Sequence, residues 1–308
     1  MGPPSAYNAG QEPELDTLGK NIMDRHPLAF LPFKRFRDPA PVVAVVSLAG
    51  IIGRLGSLQR GLNIAGVAPL LERAFAIKRL SAVALAINSP GGSPVQSALI
   101  AKRIRDLAIE HDVPVLAFCE DVAASGGYWL ACAADEIHAD ANSIVGSIGV
   151  VSSGFGFTQM IEKLGIERRL HTAGERKAIL DPFGPEREAD VAHLKMIQTD
   201  MHDDFMAMVR ERRGRRLKGD EDDLFSGAFW TGTRALDLGL VDGIGEMRAT
   251  LRERFGDRVR IKRVEQRRSW FQRRFGVPGG RASADGGLWL DQALAAVEDR
   301  LIWNRFGL

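Results

Sequence analysis

The sequence predicts an α/β fold in which a parallel sheet is flanked by helices. Apolar runs of strand length alternate with helical patterns from residue 42 onward. The strand-like runs are apolar throughout rather than at every second position, as expected for strands that are covered on both faces. The chain has 308 residues, of which 45% are hydrophobic and 26% charged, so we expect a globular protein with a sizeable core.

The elements follow one another with turn residues between them. The predicted strands are 42–48, 82–87, 113–119, one near 146–151 and 166–172. The predicted helices are 63–77, 95–109, 124–134 and an amphipathic helix over 191–209, and residues 225–244 are predicted to form a turn, a short helix and a return strand. Asn63 is the expected N-cap of the first helix.

Composition divides the chain into three segments. Residues 1–38 are predicted to be a flexible leader with a short basic-aromatic patch, and residues 39–251 to be the globular domain. Residues 252–308 are predicted to be an Arg-rich extension that ends in an amphipathic segment. Between positions 252 and 281 there are eleven Lys or Arg and three Asp or Glu, but no recognisable nucleic-acid-reading module, so we do not expect nucleic acid as a partner.

The sequence predicts neither a secretory signal nor a membrane span. The N-terminus has no charged region followed by an apolar one, and Pro90, Gly91 and Gly92 interrupt the uncharged window 80–101. The apolar helical face in 288–303 must be covered by the protein or by a membrane surface. Because arginines precede that face, we expect a cytoplasmic protein held peripherally on the anionic inner face of the membrane, with packing of the tail on the protein as the alternative.

Cysteines and histidines give no sign of a metal site. Cys119 and Cys132 lack a CxxC spacing and are predicted to be small buried apolar residues. The six histidines lie outside any metal-ligand spacing, and no motif calls for a nucleotide or another cofactor.

Ser125 is the candidate nucleophile. It stands in Asp121-Val-Ala-Ala-Ser125-Gly-Gly-Tyr128, between a predicted strand and a predicted helix. A helix N-terminus offers unpaired N–H groups, and Gly126 and Gly127 allow another backbone or a substrate to approach closely. The alternative is that Ser125 is an ordinary helix N-cap.

A second glycine-bearing turn follows the preceding predicted strand. In Ile87-Asn-Ser-Pro-Gly-Gly-Ser93, the amides of Gly91 and Gly92 could hold an oxyanion at the carboxyl end of a parallel strand. A plain strand-to-helix turn is the alternative. If the two turns converge on one crevice, a site that combines a nucleophile with oxyanion donors becomes the better interpretation.

A serine nucleophile needs a base. His111 and His202 fall at helical positions that we expect to be exposed, and His138 and His171 fall in strand-like runs where a structural role is expected. Lys177 is the other candidate, with an ordinary surface lysine as the alternative.

Four motifs stand in a fixed order along the chain: the Ser125 motif, Gly146-Ser-Ile-Gly-Val150, Gly174-x-x-Lys177-x-x-x-Asp-Pro-Phe183 and Gly239-Leu-Val-Asp242. Through them, residues 42–250 resemble the signal peptide peptidase A family of serine peptidases, the S49 group, which shares the ClpP/crotonase fold. The resemblance implies a single catalytic domain of that fold, with the basic extension outside it.

Position by position, the resemblance implies that Ser125 is the nucleophile and Lys177 the general base, and that Gly91, Gly92 and Gly126 form the oxyanion hole. A lysine acts as a base only where its ammonium form is desolvated, and Ile179 is one of the apolar neighbours that could supply this. The implied enzyme is a serine endopeptidase that needs no cofactor and cleaves unfolded apolar peptides, such as released signal peptides or membrane-protein fragments.

Only one copy of the fold is visible in the sequence. Double-length members of the family take the serine and the lysine from different repeats, so the resemblance implies a homo-oligomer, most simply a ring, with sites shared between protomers. Many members also carry a membrane-spanning segment, which we do not find here. The competing interpretations are a ClpP-like peptidase with serine, histidine and aspartate, a crotonase-type acyl-CoA enzyme, and a scaffold that has lost activity.

Overall fold

A mostly parallel sheet lies at the centre of the computed structural model, which describes residues 39–55, 59–174, 176–265, 300 and 302–307. All the elements below belong to the unit Val42–Leu308. The strands of the sheet are β1 (Val42–Ala49), β4 (Leu80–Ser89), β5 (Val115–Ala124), β6 (Glu136–Ala139), β7 (Ile144–Gly146), β8 (Phe229–Thr231), β9 (Gly243–Ile244) and β10 (Arg260–Arg263). The short strands β2 (Arg54–Leu55) and β3 (Gln59–Arg60) form a separate antiparallel pair.

The strand order in the sheet is β10-β1-β4-β5-β6-β9, and each neighbouring pair in it is parallel. The carboxyl-terminal part of β5 leaves β6 and pairs in parallel with β7, and β8 runs antiparallel to β7. Parallel strands therefore place the ends of β4 and β5 at one edge, where ligands bind in open α/β sheets.

The helices connect and cover these strands. They are α1 (Ile64–Phe75), α2 (Pro94–His111), α3 (Gly126–Ala131), α4 (Thr158–Lys163), α5 (Glu188–Arg213), α6 (Glu221–Leu224), α7 (Gly232–Asp237) and α8 (Met247–Phe255). Asn63 caps α1 as predicted, since its side chain accepts the Gly66 N–H at 3.0 Å. Ser93 caps α2, which has Pro94 in its first turn, where the missing N–H costs nothing.

Helices cover the central strands on both faces, and this explains the uninterrupted apolar runs. One face of β4 turns Leu85 and Ile87 into the larger core cluster, to which α1, α2, α3 and α5 contribute. The other face turns Ala84 and Ala86 toward the cluster that includes Leu251 of α8. The predicted α/β class, a parallel sheet flanked by helices, is confirmed.

Two strand predictions differ from the structure. Residues 166–172 are irregular rather than a strand, and Ile166 and Leu170 are exposed, because no described strand lies beside them. The strand predicted near 146–151 is β7, which ends at Gly146. Gly146 and Ser147 both have positive φ, and the Ser147 N–H bonds to the Ala228 carbonyl at 2.6 Å, so the chain turns away from the sheet at this point.

The first part of the Arg-rich extension adds to the sheet. β10 pairs with β1 in parallel, and the Val264 N–H continues the ladder to the Val45 carbonyl at 2.8 Å. The amphipathic segment predicted over 288–303 lies mostly outside the described residues. Near the C-terminus, Phe306 contacts Phe229 edge to face, with ring centroids 5.2 Å apart. Among the helices that the structure describes, none is long and apolar enough to cross a membrane.

Candidate active site

Ser125 lies between the end of β5 and the start of α3, as predicted. Its backbone has φ 52° and ψ −121°, a region that residues with a Cβ rarely occupy and that costs about 1–3 kcal/mol. The serine stands at the N-cap position, yet its side chain makes no capping hydrogen bond. The hydroxyl is thus half-buried and left free of the helix, which is the arrangement of a nucleophile on a sharp strand-to-helix turn.

Backbone pairing on both sides holds this strained turn. The Ser125 N–H donates to the Gly146 carbonyl at 2.8 Å, which continues the β5–β7 ladder by one residue. On the helical side, the Trp129 N–H donates to the Ser125 carbonyl at 3.0 Å. The conformation of Ser125 therefore follows from the sheet and the helix around it.

The turn at Gly91 packs directly against the Ser125 turn, so the two glycine-bearing turns converge. Gly91 has φ 107°, and a Cβ placed there would lie 2.8 Å from the Ser125 Cβ and 2.9 Å from the Gly126 nitrogen. A Cβ on Gly92 would collide with the Ile52 carbonyl. Glycine is required at both positions because no side chain fits between these backbones.

The amides of the two turns are not equivalent. The Gly91 N–H donates to the Ser89 Oγ at 3.2 Å inside the protein. Within the part of the chain that the structure describes, no hydrogen bond involves the N–H of Gly92 or of Gly126. Gly92 and Gly126 also line a pocket together with Ser125, so two unpaired donors stand beside the hydroxyl.

The rest of this pocket is apolar. Its walls come from three helices and from the segment after β7, through the residues Pro94, Trp129, Gly149, Val150, Met201 and Phe205. The rings of Trp129 on α3 and Phe205 on α5 stack with centroids 4.7 Å apart. Such a lining suits an apolar side chain next to the hydroxyl of Ser125.

His202 supports one wall of the pocket, which the sequence did not indicate. Its Nε2 lies 3.2 Å from the Ile148 carbonyl, at the start of the segment that brings Gly149 and Val150 to the pocket. The expectation of an exposed side chain is wrong, since His202 is half-buried. The sequence feature that could have indicated a half-buried His202 was its position on α5, next to Met201 in the apolar stripe of that helix.

The other histidines for which the structure gives contacts lie elsewhere. His111 stacks on Phe75, and His138 stacks on Phe118 of the core cluster on the α8 side of the sheet. His171 is exposed in the irregular segment. None of the histidines in the described ranges lines the pocket of Ser125.

Lys177 is not among the described residues that line the pocket of Ser125. It follows a turn in which its N–H donates to the Gly174 carbonyl at 3.2 Å, and its side chain is exposed and does not line the pocket. Ile179 and Leu180 are half-buried, but they do not enclose Lys177 in the single chain.

The segment 151–187, which carries Lys177, has its own small set of contacts. The rings of Phe155, Phe157 and Phe183 lie in a row with centroids 6.2 and 5.6 Å apart. Arg168 stacks over Phe183 and pairs with Asp181 at 2.7 Å. Most of its large apolar side chains remain exposed: Val151, Phe155, Met160, Leu164, Ile166, Leu170 and Phe183.

The Gly239–Asp242 motif holds the pocket helices on the sheet. The buried guanidinium of Arg213, at the end of α5, donates to both Asp242 carboxylate oxygens at 2.8 and 2.9 Å and to the Gly239 carbonyl. The Tyr128 hydroxyl of α3 donates to the Leu240 carbonyl at 2.8 Å. Burial is the largest single effect and would raise the pKa of Asp242, but the hydrogen bonds and charge of Arg213, the Ile137 N–H and the charge of Arg216 together outweigh it, and the pKa is lowered.

Neither cysteine is a second nucleophile. Both are buried as predicted, and burial raises the pKa of Cys119 to about 12 and that of Cys132 to about 11. Both thiols are therefore protonated and unreactive at neutral pH. Among the described residues, no group of His, Cys, Asp and Glu has the arrangement of a metal site.

Comparison with known proteins places these features in a family. The family model described as peptidase family S49 matches residues 108–255, a range that contains both Ser125 and Lys177. The chain is 32% identical to a putative signal peptide peptidase SppA of Enterococcus faecium, over 54% of this chain and 48% of that protein. It is 30% identical to a putative protease of Synechocystis, over 61% of this chain and 69% of that protein.

A higher identity comes with a different name. The chain is 50% identical to a protein of Brucella abortus named Na(+)/H(+) antiporter NhaA, over 89% of this chain and 38% of that protein. The chain thus spans about two fifths of the length of that relative and about half of the length of the Enterococcus relative.

Proposed function

The chain belongs to peptidase family S49, and we propose that it is a serine peptidase in which Ser125 is the nucleophile and Lys177, supplied by a second copy of the chain, is the general base. The proposed enzyme is an endopeptidase that cleaves unfolded apolar peptides, such as released signal peptides or membrane-protein fragments. The observation that carries this proposal is the strained turn of Ser125, which sets a free hydroxyl beside two unpaired amides.

The proposed reaction is acyl transfer in two steps. The Ser125 Oγ attacks the carbonyl carbon of the scissile bond while its proton passes to the neutral amine of Lys177. The N–H groups of Gly92 and Gly126 donate to the oxygen that becomes negative in the tetrahedral intermediate. Protonated Lys177 gives its proton to the amine of the leaving peptide, and the peptide departs. The Lys177 amine, neutral again, then takes a proton from a water molecule that attacks the acyl-enzyme and releases the acid product. In this scheme Gly91 shapes the oxyanion hole without donating, because its N–H is bonded to Ser89.

The exposed position of Lys177 supports a base supplied in trans. A lysine can accept a proton at neutral pH only when its ammonium form is desolvated, and a single chain leaves this side chain in water. The same segment exposes a row of large apolar side chains, which is unusual for a surface without a partner. Docking of the 151–187 segment on a second copy would cover those side chains and desolvate Lys177 in one step.

The pocket supports an apolar substrate. Trp129, Val150, Met201 and Phe205 line the space next to Ser125, and none of the lining residues within the described part of the chain is charged. An apolar side chain of the peptide would be removed from water there, at about 25 cal/mol per Å² of buried apolar surface. A peptide must be unfolded to present both its carbonyl and that side chain.

The antiporter name of one relative does not alter this proposal. The match covers 38% of that protein, so most of it lies outside the region shared with this chain. The peptidase model, in contrast, matches the region of this chain that holds Ser125. We therefore propose peptide hydrolysis, and not ion exchange, for the shared region.

We also propose that the enzyme works in the cytoplasm and contacts the anionic inner face of the membrane through its basic extension. In the described part of this extension, Arg252, Arg260 and Lys262 are exposed. The contact of Phe306 with Phe229 supports the alternative for the end of the tail, which is packing on the protein.

A serine-reactive fluorophosphonate probe, followed by peptide mapping, tests the nucleophile. We expect labelling at Ser125 in the wild type, and a loss of hydrolysis of at least about 10⁴-fold in Ser125→Ala, since the attacking group is removed. Ser47→Ala is the matched control, because Ser47 is exposed on β1 and should not affect activity. Hydrolysis of an apolar peptide by Ser125→Ala at a rate comparable with the wild type would refute the assignment.

The base is tested with the same peptide. Lys177→Ala and Lys177→Arg should both be inactive, because arginine stays protonated at any usable pH. Lys163→Ala, a change of another exposed lysine in the same segment, should remain active. If Lys177→Arg is active, the lysine is excluded as the base. If His202→Ala is then inactive in the same assay, the result favours the ClpP-like alternative.

A further inference from the structure

A bulge interrupts the pairing of β4 and β5 just before both strands reach the candidate active site. The two strands pair residue for residue up to Ile87 opposite Cys119, and the next pair is Ser89 opposite Ala123. Three residues of β5, from Glu120 to Val122, therefore face a single residue of β4, Asn88. Bulges of this kind bend a strand and re-aim the residues that follow it.

The side chain of Asn88 bridges the bulge. Its Nδ2 donates to the Asp121 Oδ2 at 2.7 Å, and its Oδ1 accepts the Val122 N–H at 3.3 Å. Its backbone carbonyl accepts the Gly50 N–H at 2.9 Å, which continues the pairing of β4 with β1. One amide side chain thus replaces the ladder hydrogen bonds that the bulge removes.

The bulge is also the point at which β5 changes partners. Before it, β5 pairs with β6; from Val122, the last residue of the bulge, β5 pairs with β7, and Ala123 and Ala124 continue this pairing. This second pairing delivers Ser125 to the Gly146 carbonyl. The path of the last residues of β5, and so the place of the nucleophile, depends on how the bulge is closed.

The bridge joins the two turns that must be placed relative to each other. Gly91 follows Asn88 by three residues, and Ser125 follows Asp121 by four. The turns are in contact, with no room for a Cβ on Gly91. A shift of about 1 Å between them would move the hydroxyl away from the Gly92 and Gly126 amides, and shifts of this size cost up to about 10²-fold in rate.

We infer that Asn88 and Asp121 form a positioning pair that sets the distance between the Ser125 hydroxyl and the oxyanion donors. The inference rests on the proposed role of Ser125. Asp121 is exposed and Asn88 half-buried, so their hydrogen bond contributes little to the stability of the fold. The effect of the pair belongs to the turnover number and not to the thermal stability.

An exchange of the two side chains tests the pair. Asn88→Asp sets one carboxylate against another, so we expect kcat to fall about tenfold or more, with KM changed less than about twofold. Asp121→Asn keeps an oxygen acceptor for the Asn88 amide and is the matched control, with kcat within about threefold of the wild type. In the double variant, which combines Asn88→Asp with Asp121→Asn, the amide and the carboxylate have changed places. The amide on β5 can then donate to the carboxylate on β4, whose second oxygen accepts the Val122 N–H, so kcat should return to the level of Asp121→Asn.

The measurements are kcat, KM, the rate of Ser125 labelling by the fluorophosphonate and the melting temperature of each variant. Should Asn88→Asp keep its kcat, or the exchange fail to restore it, the inference is overturned. It is also overturned if kcat falls only in proportion to the amount of folded protein. If Asn88→Asp does not fold, Asn88→Ala is used instead, and its kcat and melting temperature are compared with those of the wild type. Ser125→Ala in the same assay separates the two proposals, because activity there would refute the nucleophile itself.

Discussion

Ser125 holds a conformation that its own residue type does not favour, and its neighbours keep it there. The sequence predicted the strand, the helix and the serine between them, since these follow from local apolar patterns and from the glycines. The positive φ, and the absence of a capping bond from the side chain, could not be predicted. They depend on the pairing of β5 with β7 and on contact with the Gly91 turn, which bring together distant parts of the chain.

Gly91→Ala should abolish most of the activity without unfolding the protein. The new Cβ would lie 2.8 Å from the Ser125 Cβ, so the two turns must separate. We expect kcat/KM to fall about 10²-fold or more, measured on an unfolded apolar peptide. Gly256→Ala is the control, because Gly256 also has positive φ but has open space around it. Equal activity of the two variants would show that the contact between the turns is unimportant.

At the scale of elements, the main strands and helices were predictable. The role of α5 and the conformation of residues 166–172 were not. The strand predictions 42–48, 82–87 and 113–119 correspond to β1, β4 and β5, since strands buried on both faces have uninterrupted apolar runs. The role of α5 as a pocket wall, and the irregular course of 166–172, depend on long-range packing that local periodicity does not report.

The attachment of α5 gives a prediction about pH. The pKa of Asp242 is lower in the folded protein than its usual value of about 3.9, so its charged form stabilises the fold. This contribution is present above about pH 4 and is lost as the pH falls toward the folded-state pKa. Asp242→Asn should lower the free energy of unfolding at pH 7 by about 3–5 kcal/mol, because the buried Arg213 loses its charged partner.

Urea unfolding at several pH values checks this prediction. The difference between the wild type and Asp242→Asn should begin to shrink below about pH 4, where the carboxylate of the unfolded chain takes up a proton, and should be lost as the pH falls through the lower pKa of the folded protein. Asp237→Asn is the control, because Asp237 is exposed and its ion pair with Arg234 is 3.8 Å long, so the change should be within about 0.5 kcal/mol. A difference that does not depend on pH would mean that the charge of Asp242 is not what stabilises the fold.

At the scale of the whole molecule, Lys177 is exposed and is not among the described residues that line the pocket of Ser125. Motifs in the sequence suggest both residues as site candidates, and the single copy of the fold leads to the expectation of a site shared between protomers. A shared site gives a quantitative prediction for mixtures: random assembly of equal amounts of Ser125→Ala and Lys177→Ala chains should give both wild-type groups at about a quarter of the sites.

Co-expression of the two inactive variants with different affinity tags tests this. Tandem purification isolates oligomers that contain both chains, and their activity should be a substantial fraction of the wild-type value. Homogeneous oligomers of either variant are the controls. If the mixed oligomers remain inactive, the serine and the lysine must come from the same chain.

The basic extension is tested by sedimentation with anionic vesicles. Full-length protein should bind at low salt and dissociate at high salt, since each Lys or Arg near such a surface contributes about 1 kcal/mol that salt screens. A truncation after Glu265 keeps β10 in the sheet and removes the remaining tail. It should bind more weakly, and equal binding of the two proteins would place the membrane contact elsewhere.

The exposure of Lys177 on the 151–187 segment also has a kinetic consequence. If the site is shared, a separated chain holds a nucleophile without a base. At low enzyme concentration, the rate of hydrolysis would then increase more than in proportion to the concentration of the chain. Specific activity would therefore fall on dilution. A newly synthesised chain would not cleave the unfolded polypeptides around the ribosome until it has assembled with other copies of itself.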